Sequence, residues 1–165
     1  MSRKMTFYSI LLTITGGGQM LAAWLLYDPG ANSSIINLGW VVIFLSAIFG
    51  WLPIFTFRSR GKVKGKSYVD TTALVDSGIY RIVRHPQYLA GILINIGLSL
   101  ITTHWLVVLS GAISWLIYFQ NTYSEEEKNL EKFGDAYRNY QQRVPRLNFI
   151  LGLIRLLTTR ENGDG

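Results

Sequence analysis

The chain has 165 residues and a formal net charge of +6, with 49% hydrophobic and only 16% charged residues. That length favours a single domain, and so apolar a composition excludes a small soluble one. The absence of cysteine excludes disulfides, thiolate zinc sites and cysteine nucleophiles, and two histidines are too few for a histidine-rich metal site.

Met5 to Tyr27 carries no charge and exceeds the ~20 residues a helix needs to cross a hydrocarbon core. Gly16, Gly17 and Gly18 interrupt it, and in a membrane helix such a run allows close helix contact. No small-residue cleavage pattern closes the stretch, so it reads as a retained anchor. Asp28 to Ser34 is a turn by composition. Ile35 to Phe57 is the second apolar span, with Pro53 near its end as a kink. Arg58 to Lys66 is a basic, glycine-containing loop suited to anionic lipid.

Asp76 to Gly91 reads DSGIYRIVRHPQYLAG. Pro86 suits the first turn of a helix, which places Arg84 and His85 at its amino end, where unpaired amides and the helix dipole favour an anion. The same residues also fit a basic membrane flank closed by a proline. Residues 88–103 and 105–120 are two short apolar blocks, a hairpin with His104 at its interfacial tip. Each is roughly 24 Å long as helix, against roughly 30 Å of hydrocarbon. Tyr88, Gly91, Asn95 and Ser99 recur at helical spacing and line one side, which faces either packed protein or a cavity.

Glu125 to Arg146 reads EEEKNLEKFGDAYRNYQQRVPR. Leu130, Phe133, Tyr137, Tyr140 and Val144 form the apolar face of an amphipathic helix too charged to span, with a weak point at Gly134 and an end at Pro145. Asn148 to Leu157 is a shorter interfacial segment. Lysines and arginines precede span one, lie between spans two and three, and follow span four. Both termini are therefore expected on the cytoplasmic side. The expected fold is an all-α polytopic membrane protein with about four transmembrane helices and a carboxyl-terminal amphipathic cytosolic helix. The basic residues flank hydrophobic spans, so the expected partner is the lipid bilayer and not nucleic acid. His85 and Glu126 would then emerge on one side, brought together by the hairpin. Tyr118, Thr122 and Glu126, at steps of four, share a face if span four continues unbroken. With Asn95, Tyr118 and Thr122 are the candidate substrate-binding residues, and no metal is expected. Nothing in these spacings names a reaction.

GIYRIVRHPQYLAG followed across a hairpin by EEKNLEKFGDAYRNYQQRVPR resembles the isoprenylcysteine carboxyl methyltransferase family, integral membrane enzymes related to the phospholipid methyltransferases. The likeness covers roughly residues 74–146. It implies a methyltransferase using S-adenosyl-L-methionine on a lipophilic or small membrane-partitioning acceptor at the cytosolic face. Carried over by position, its cofactor contacts fall on Leu74, Val75, Tyr80, His85, Pro86, Gln87, Tyr88 and Glu126, within the motif segments 74–88 and 124–146. One departure is Thr122, where prenylcysteine-processing members have an arginine. A lipid amine, a thiol or another small lipophilic acceptor fits at least as well as a prenylcysteine carboxylate. Sterol reductases that bind NADPH resemble the same motif pair, though with more spans, and a non-catalytic scaffold is the third reading.

Overall fold

Apolar runs bounded by turn residues become helices throughout the computed structural model, which describes residues 3–60 and 73–161. Among the described residues the elements are α1 (Arg3–Leu25), α2 (Ser33–Arg60), a 3-10 turn (Gly78–Arg81), α3 (Pro86–Thr102), α4 (Trp105–Phe133), α5 (Asp135–Arg143) and α6 (Phe149–Glu161), with no strand. Most of the basic loop, including Lys62, Lys64 and Lys66, lies outside the described residues. Among the described residues only α2 is both long and apolar enough to cross a membrane by length and composition, over Ser33–Ser59 at a mean hydropathy of 2.1. The expectation of four spans therefore rests on length and composition for one described helix.

Two of the expected boundaries move. The helix beginning at Trp105 does not stop at Gln120 but continues to Phe133, because no proline or glycine intervenes. Gly134 then breaks it with a φ of +54°, in the left-handed region that glycine adopts freely. The expected amphipathic helix is thus divided between the last turns of α4 and the nine-residue α5.

The chain divides into two units: 1–48 with 88–124, and 49–87 with 125–165. In the first, α2 and α3 meet at reciprocal glycines. A Cβ on Gly39 would lie 2.8 Å from the Gly97 carbonyl, and one on Gly97 would lie 3.0 Å from the Gly39 carbonyl. Thr103, at φ 51°, turns the α3–α4 hairpin. Its partner in the turn, His104, accepts the Leu106 amide on Nδ1 at 3.3 Å and so caps α4. The Gly16–Gly18 run makes no close helix contact: Cβ atoms there would meet nothing within 4 Å. The polar side of α3 faces protein. Gly91 receives the Tyr118 ring, Tyr88 Oη accepts Asn121 Nδ2 at 3.1 Å, and the Asn95 carbonyl accepts Gln19 Nε2 at 3.0 Å.

In the second unit, Phe49 packs on Phe149 with ring centroids 5.3 Å apart, and Phe57 packs on Tyr80 at 4.9 Å. Gly152 of α6 seats directly against the Ile82 carbonyl, leaving no room for a side chain.

Candidate functional site

The site belongs to the second unit and is built where three separate stretches are laced together. After the 3-10 turn the chain passes through Arg84 and His85 before Pro86 opens α3. The Arg84 amide donates to the Pro145 carbonyl at 3.0 Å and the His85 amide to the Arg146 carbonyl at 3.2 Å. The segment before α3 is therefore clamped to the segment after α5, which closes with Val144 extended. Tyr140 adds a third tie. Its hydroxyl donates to the Tyr80 carbonyl at 2.8 Å, with both residues buried.

Glu126, in the late turns of α4, is the hub. It is 4% exposed, and five donor atoms reach its two oxygens. Oε1 takes His85 Nε2 at 3.1 Å, Arg146 Nε at 3.1 Å and Arg84 Nη2 at 3.2 Å. Oε2 takes Arg146 Nη2 at 2.6 Å and Gln141 Nε2 at 3.2 Å. Glu125 stands 3.7 Å from the other ring nitrogen of His85, so the imidazole bridges two carboxylates. The outer pair, Arg143 with Asp76 at 3.6 Å, is half to two-thirds exposed and contributes little.

Burial opposes ionisation of Glu126. The hydrogen bonds from His85 and Arg146 and the nearby Arg84 charge outweigh it and lower the carboxyl from 4.5 to about 2. Burial likewise opposes charging of His85, but Glu125 and Glu126 raise it above its usual 6.5. Burial pushes the Tyr137 hydroxyl up to about 12, and Tyr140 is raised for the same reason. These two phenols stay neutral at any physiological pH. Among the described residues no three histidine, aspartate or glutamate side chains gather as a metal site.

His85 and Glu126, expected to converge, are in direct contact. Tyr80, Val75 and Pro86 are buried close by in sequence, and Leu74 and Gln87 are half-buried. Tyr88, Asn95, Tyr118 and Thr122 belong to the first unit. There Tyr118 packs over Gly91, and Thr122 spends its hydroxyl on the Phe119 carbonyl at 2.7 Å. Sequence reasoning missed Arg146 and Gln141, and it placed Arg84 beside His85 at the amino end of α3, with a basic membrane flank as the alternative, without pairing it to Glu126. Arg146 follows a helix-ending proline, and nothing in its spacing sets it apart from Arg143. One atom of the cluster remains unsatisfied: Arg84 Nε, buried, finds no partner among the described residues. A buried donor beside two cationic side chains suits an acceptor that carries negative charge.

The phospholipid methyltransferase family model matches residues 34–136, well over half of the chain, and the chain belongs to that family. The match takes in His85 and Glu126 and stops short of Gln141 and Arg146. Protein-S-isoprenylcysteine O-methyltransferase of Homo sapiens is 35% identical over 86 residues, covering 51% of this chain and 30% of that protein. That of Schizosaccharomyces pombe is 32% identical over 73 residues, 44% and 31% of the two chains. Methanethiol S-methyltransferase 2 of Bradyrhizobium diazoefficiens is 30% identical over 152 residues, covering 87% of this chain and 51% of that one. The chain thus spans from under a third to about half the length of these curated relatives. Membership agrees with the motif resemblance drawn from the two polar segments.

Proposed function

We infer that the chain is a membrane methyltransferase that uses S-adenosylmethionine and acts on a lipophilic acceptor at the cytosolic face. The observation that carries this reading is the buried Glu126 cluster, assembled from both motif segments, with Arg84 Nε left over as a donor. The names of its relatives, O- and S-methyltransferases, supply the class of reaction.

The residues fit such a cofactor in their chemistry. Arg84 and His85 present positive character suited to an amino-acid carboxylate, and Leu74, Val75, Tyr80 and Gln87 offer apolar, aromatic and amide surface. Glu126 already receives five donors, so its part is to hold Arg84, His85 and Arg146 in place rather than to stand free as an acceptor. When bound, S-adenosylmethionine supplies a methyl group on a sulfonium, which transfers by direct displacement. Such a reaction needs alignment and exclusion of water more than acid–base machinery. The clamped backbone between residues 84–85 and 145–146 provides the first, and apolar surroundings provide the second.

The membrane placement proposed is four spans, carried by α1, α2, α3 and residues 105–120 of α4, with both termini cytoplasmic. It is supported by the outward display of large apolar side chains: Trp24 is 77% exposed, Phe44 70%, Trp51 64% and Trp105 66%. Such surfaces suit lipid and not water.

Equilibrium binding by the full-length protein tests the reading. S-adenosylmethionine is expected to bind at micromolar concentration, with affinity lost in His85→Ala and Glu126→Ala. Transfer of a labelled methyl group to lipid extracts, thiols and amines then identifies the acceptor class. Binding of NADPH with none of S-adenosylmethionine would overturn it in favour of a reductase, and unchanged affinities in both variants would favour a scaffold.

A further inference from the structure

Asn148 opens α6 by accepting the Leu151 amide on Oδ1 at 3.0 Å. Two faces of that helix then differ. One is docked within the second unit: Phe149 packs on Phe49 with ring centroids 5.3 Å apart, and Gly152 seats on the Ile82 carbonyl. The other carries Ile150, Leu153, Ile154 and Leu157, each between 41% and 61% exposed. Their spacing of i, i+3, i+4 and i+7 makes one continuous apolar stripe. Arg155, the one charged residue from Leu147 to Thr158, falls on roughly the opposite side of the helix from that stripe.

A helix of 13 residues is marginal when isolated, and an apolar stripe facing water would add nothing to hold it. Depth decides what covers the stripe. The span Ser33–Ser59 is 27 residues, about 40 Å, and exceeds the roughly 30 Å of hydrocarbon by about 5 Å at each end. Phe49 lies ten residues before Ser59, about 15 Å along the helix, and so about 10 Å inside the cytosolic edge of the hydrocarbon. The amino end of α6, docked there through Phe149, stands among acyl chains.

We propose that the stripe of α6 is seated in the acyl chains of the cytosolic leaflet, and that this lipid contact braces the segment carrying Arg84 and His85. The proposal rests on the membrane placement of α2 and not on the reaction. Ile82, under Gly152, precedes Arg84 by two residues. The amides of Arg84 and His85 donate to the carbonyls of Pro145 and Arg146, in the stretch that leads into α6. The segment is thus held on one side by α6 and on the other by the residues just before it. Whatever fixes α6 in place fixes both holds. Arg155, away from the stripe, suits the polar boundary of the leaflet.

The chain has no cysteine, so single spin labels can be introduced without removing any. The test uses the full-length protein in phosphatidylcholine nanodiscs. Labels at Ile150→Cys, Leu153→Cys and Leu157→Cys are expected to be reached by dissolved oxygen and shielded from a water-soluble nickel chelate. A label at Arg155→Cys should show the reverse. The double variant Ile154→Gln, Leu157→Gln makes the stripe polar without adding a charge that would act on the cluster. In it the label at Ile150→Cys should open to the chelate, and the amides of Arg84 and His85 should exchange with deuterium about fivefold faster or more. Ile154→Leu should leave both readings at the parental value. Should the double variant fail to fold, the two single glutamine variants decide. Chelate access along the stripe of the parent protein overturns the proposal. So does a stripe reached by neither probe, which would mean that a second copy or another protein covers it. Parental exchange at Arg84 and His85 with the stripe displaced overturns it as well. A label at Phe44→Cys reports on α2 itself. Chelate access there would sink the membrane placement and this proposal with it, whereas lipid there and water along α6 defeats the seating of α6 alone.

Discussion

Arg146 holds Glu126 with both arms of its guanidinium, Nη2 to Oε2 at 2.6 Å and Nε to Oε1 at 3.1 Å. The carboxylate side chain is 5% exposed and the arginine 23%, so water screens the pair weakly. A double-mutant cycle of Glu126→Gln and Arg146→Met is expected to give a coupling of about 1.5 kcal/mol or more, read by thermal unfolding. Arg146→Lys keeps the charge but not the fork and should recover little of it. A coupling near zero would mean that the fork adds nothing to the cluster.

The cluster makes stability depend on pH in two directions. Glu126 has its carboxyl lowered from 4.5 to about 2. Its contribution, about 3 kcal/mol for that shift, is present above pH 4.5 and lost as pH falls through about 2. His85 is raised above 6.5, so its contribution is full below 6.5 and lost as pH rises through the folded value. Melting temperature should therefore be highest between these limits. Glu126→Gln should flatten the acid side and His85→Gln the alkaline side, both measurable by thermal melts across pH.

Two glycines in helices should respond in opposite ways to alanine. Gly152 abuts the Ile82 carbonyl, a backbone atom with no freedom to step aside. Gly152→Ala is expected to destabilise by about 1–3 kcal/mol through overpacking. Gly17 has open space around the added carbon, and Gly17→Ala should be neutral or stabilising by up to about 1 kcal/mol from helix propensity. Denaturation of the two variants side by side checks both.

Tyr140→Phe deletes the hydroxyl that donates to the Tyr80 carbonyl at 2.8 Å, removing a buried hydrogen bond. The expected loss is about 1–3 kcal/mol of stability, with a several-fold fall in S-adenosylmethionine affinity because Tyr80 and the clamped segment loosen. Calorimetric titration measures the second effect. A stability loss with unchanged affinity would confine Tyr140 to the scaffold.

The sequence alone determined the helical blocks, the turn at Thr103 and His104, the opening of α3 at Pro86 and the break at Gly134, because each follows from local rules about charge, proline and glycine. It also determined that His85 and Glu126 belong to one motif pair. Only the tertiary structure decided who meets Glu126. Arg84 and Arg146 are 62 residues apart, and a contact across that distance leaves no periodic trace in the chain. It also decided which glycines matter: Gly16 to Gly18 look like a packing seam but face open space, whereas Gly39, Gly97 and Gly152 sit against other helices or backbone. A glycine's worth is set by the neighbour that occupies the missing side chain's place, and folding alone brings that neighbour there.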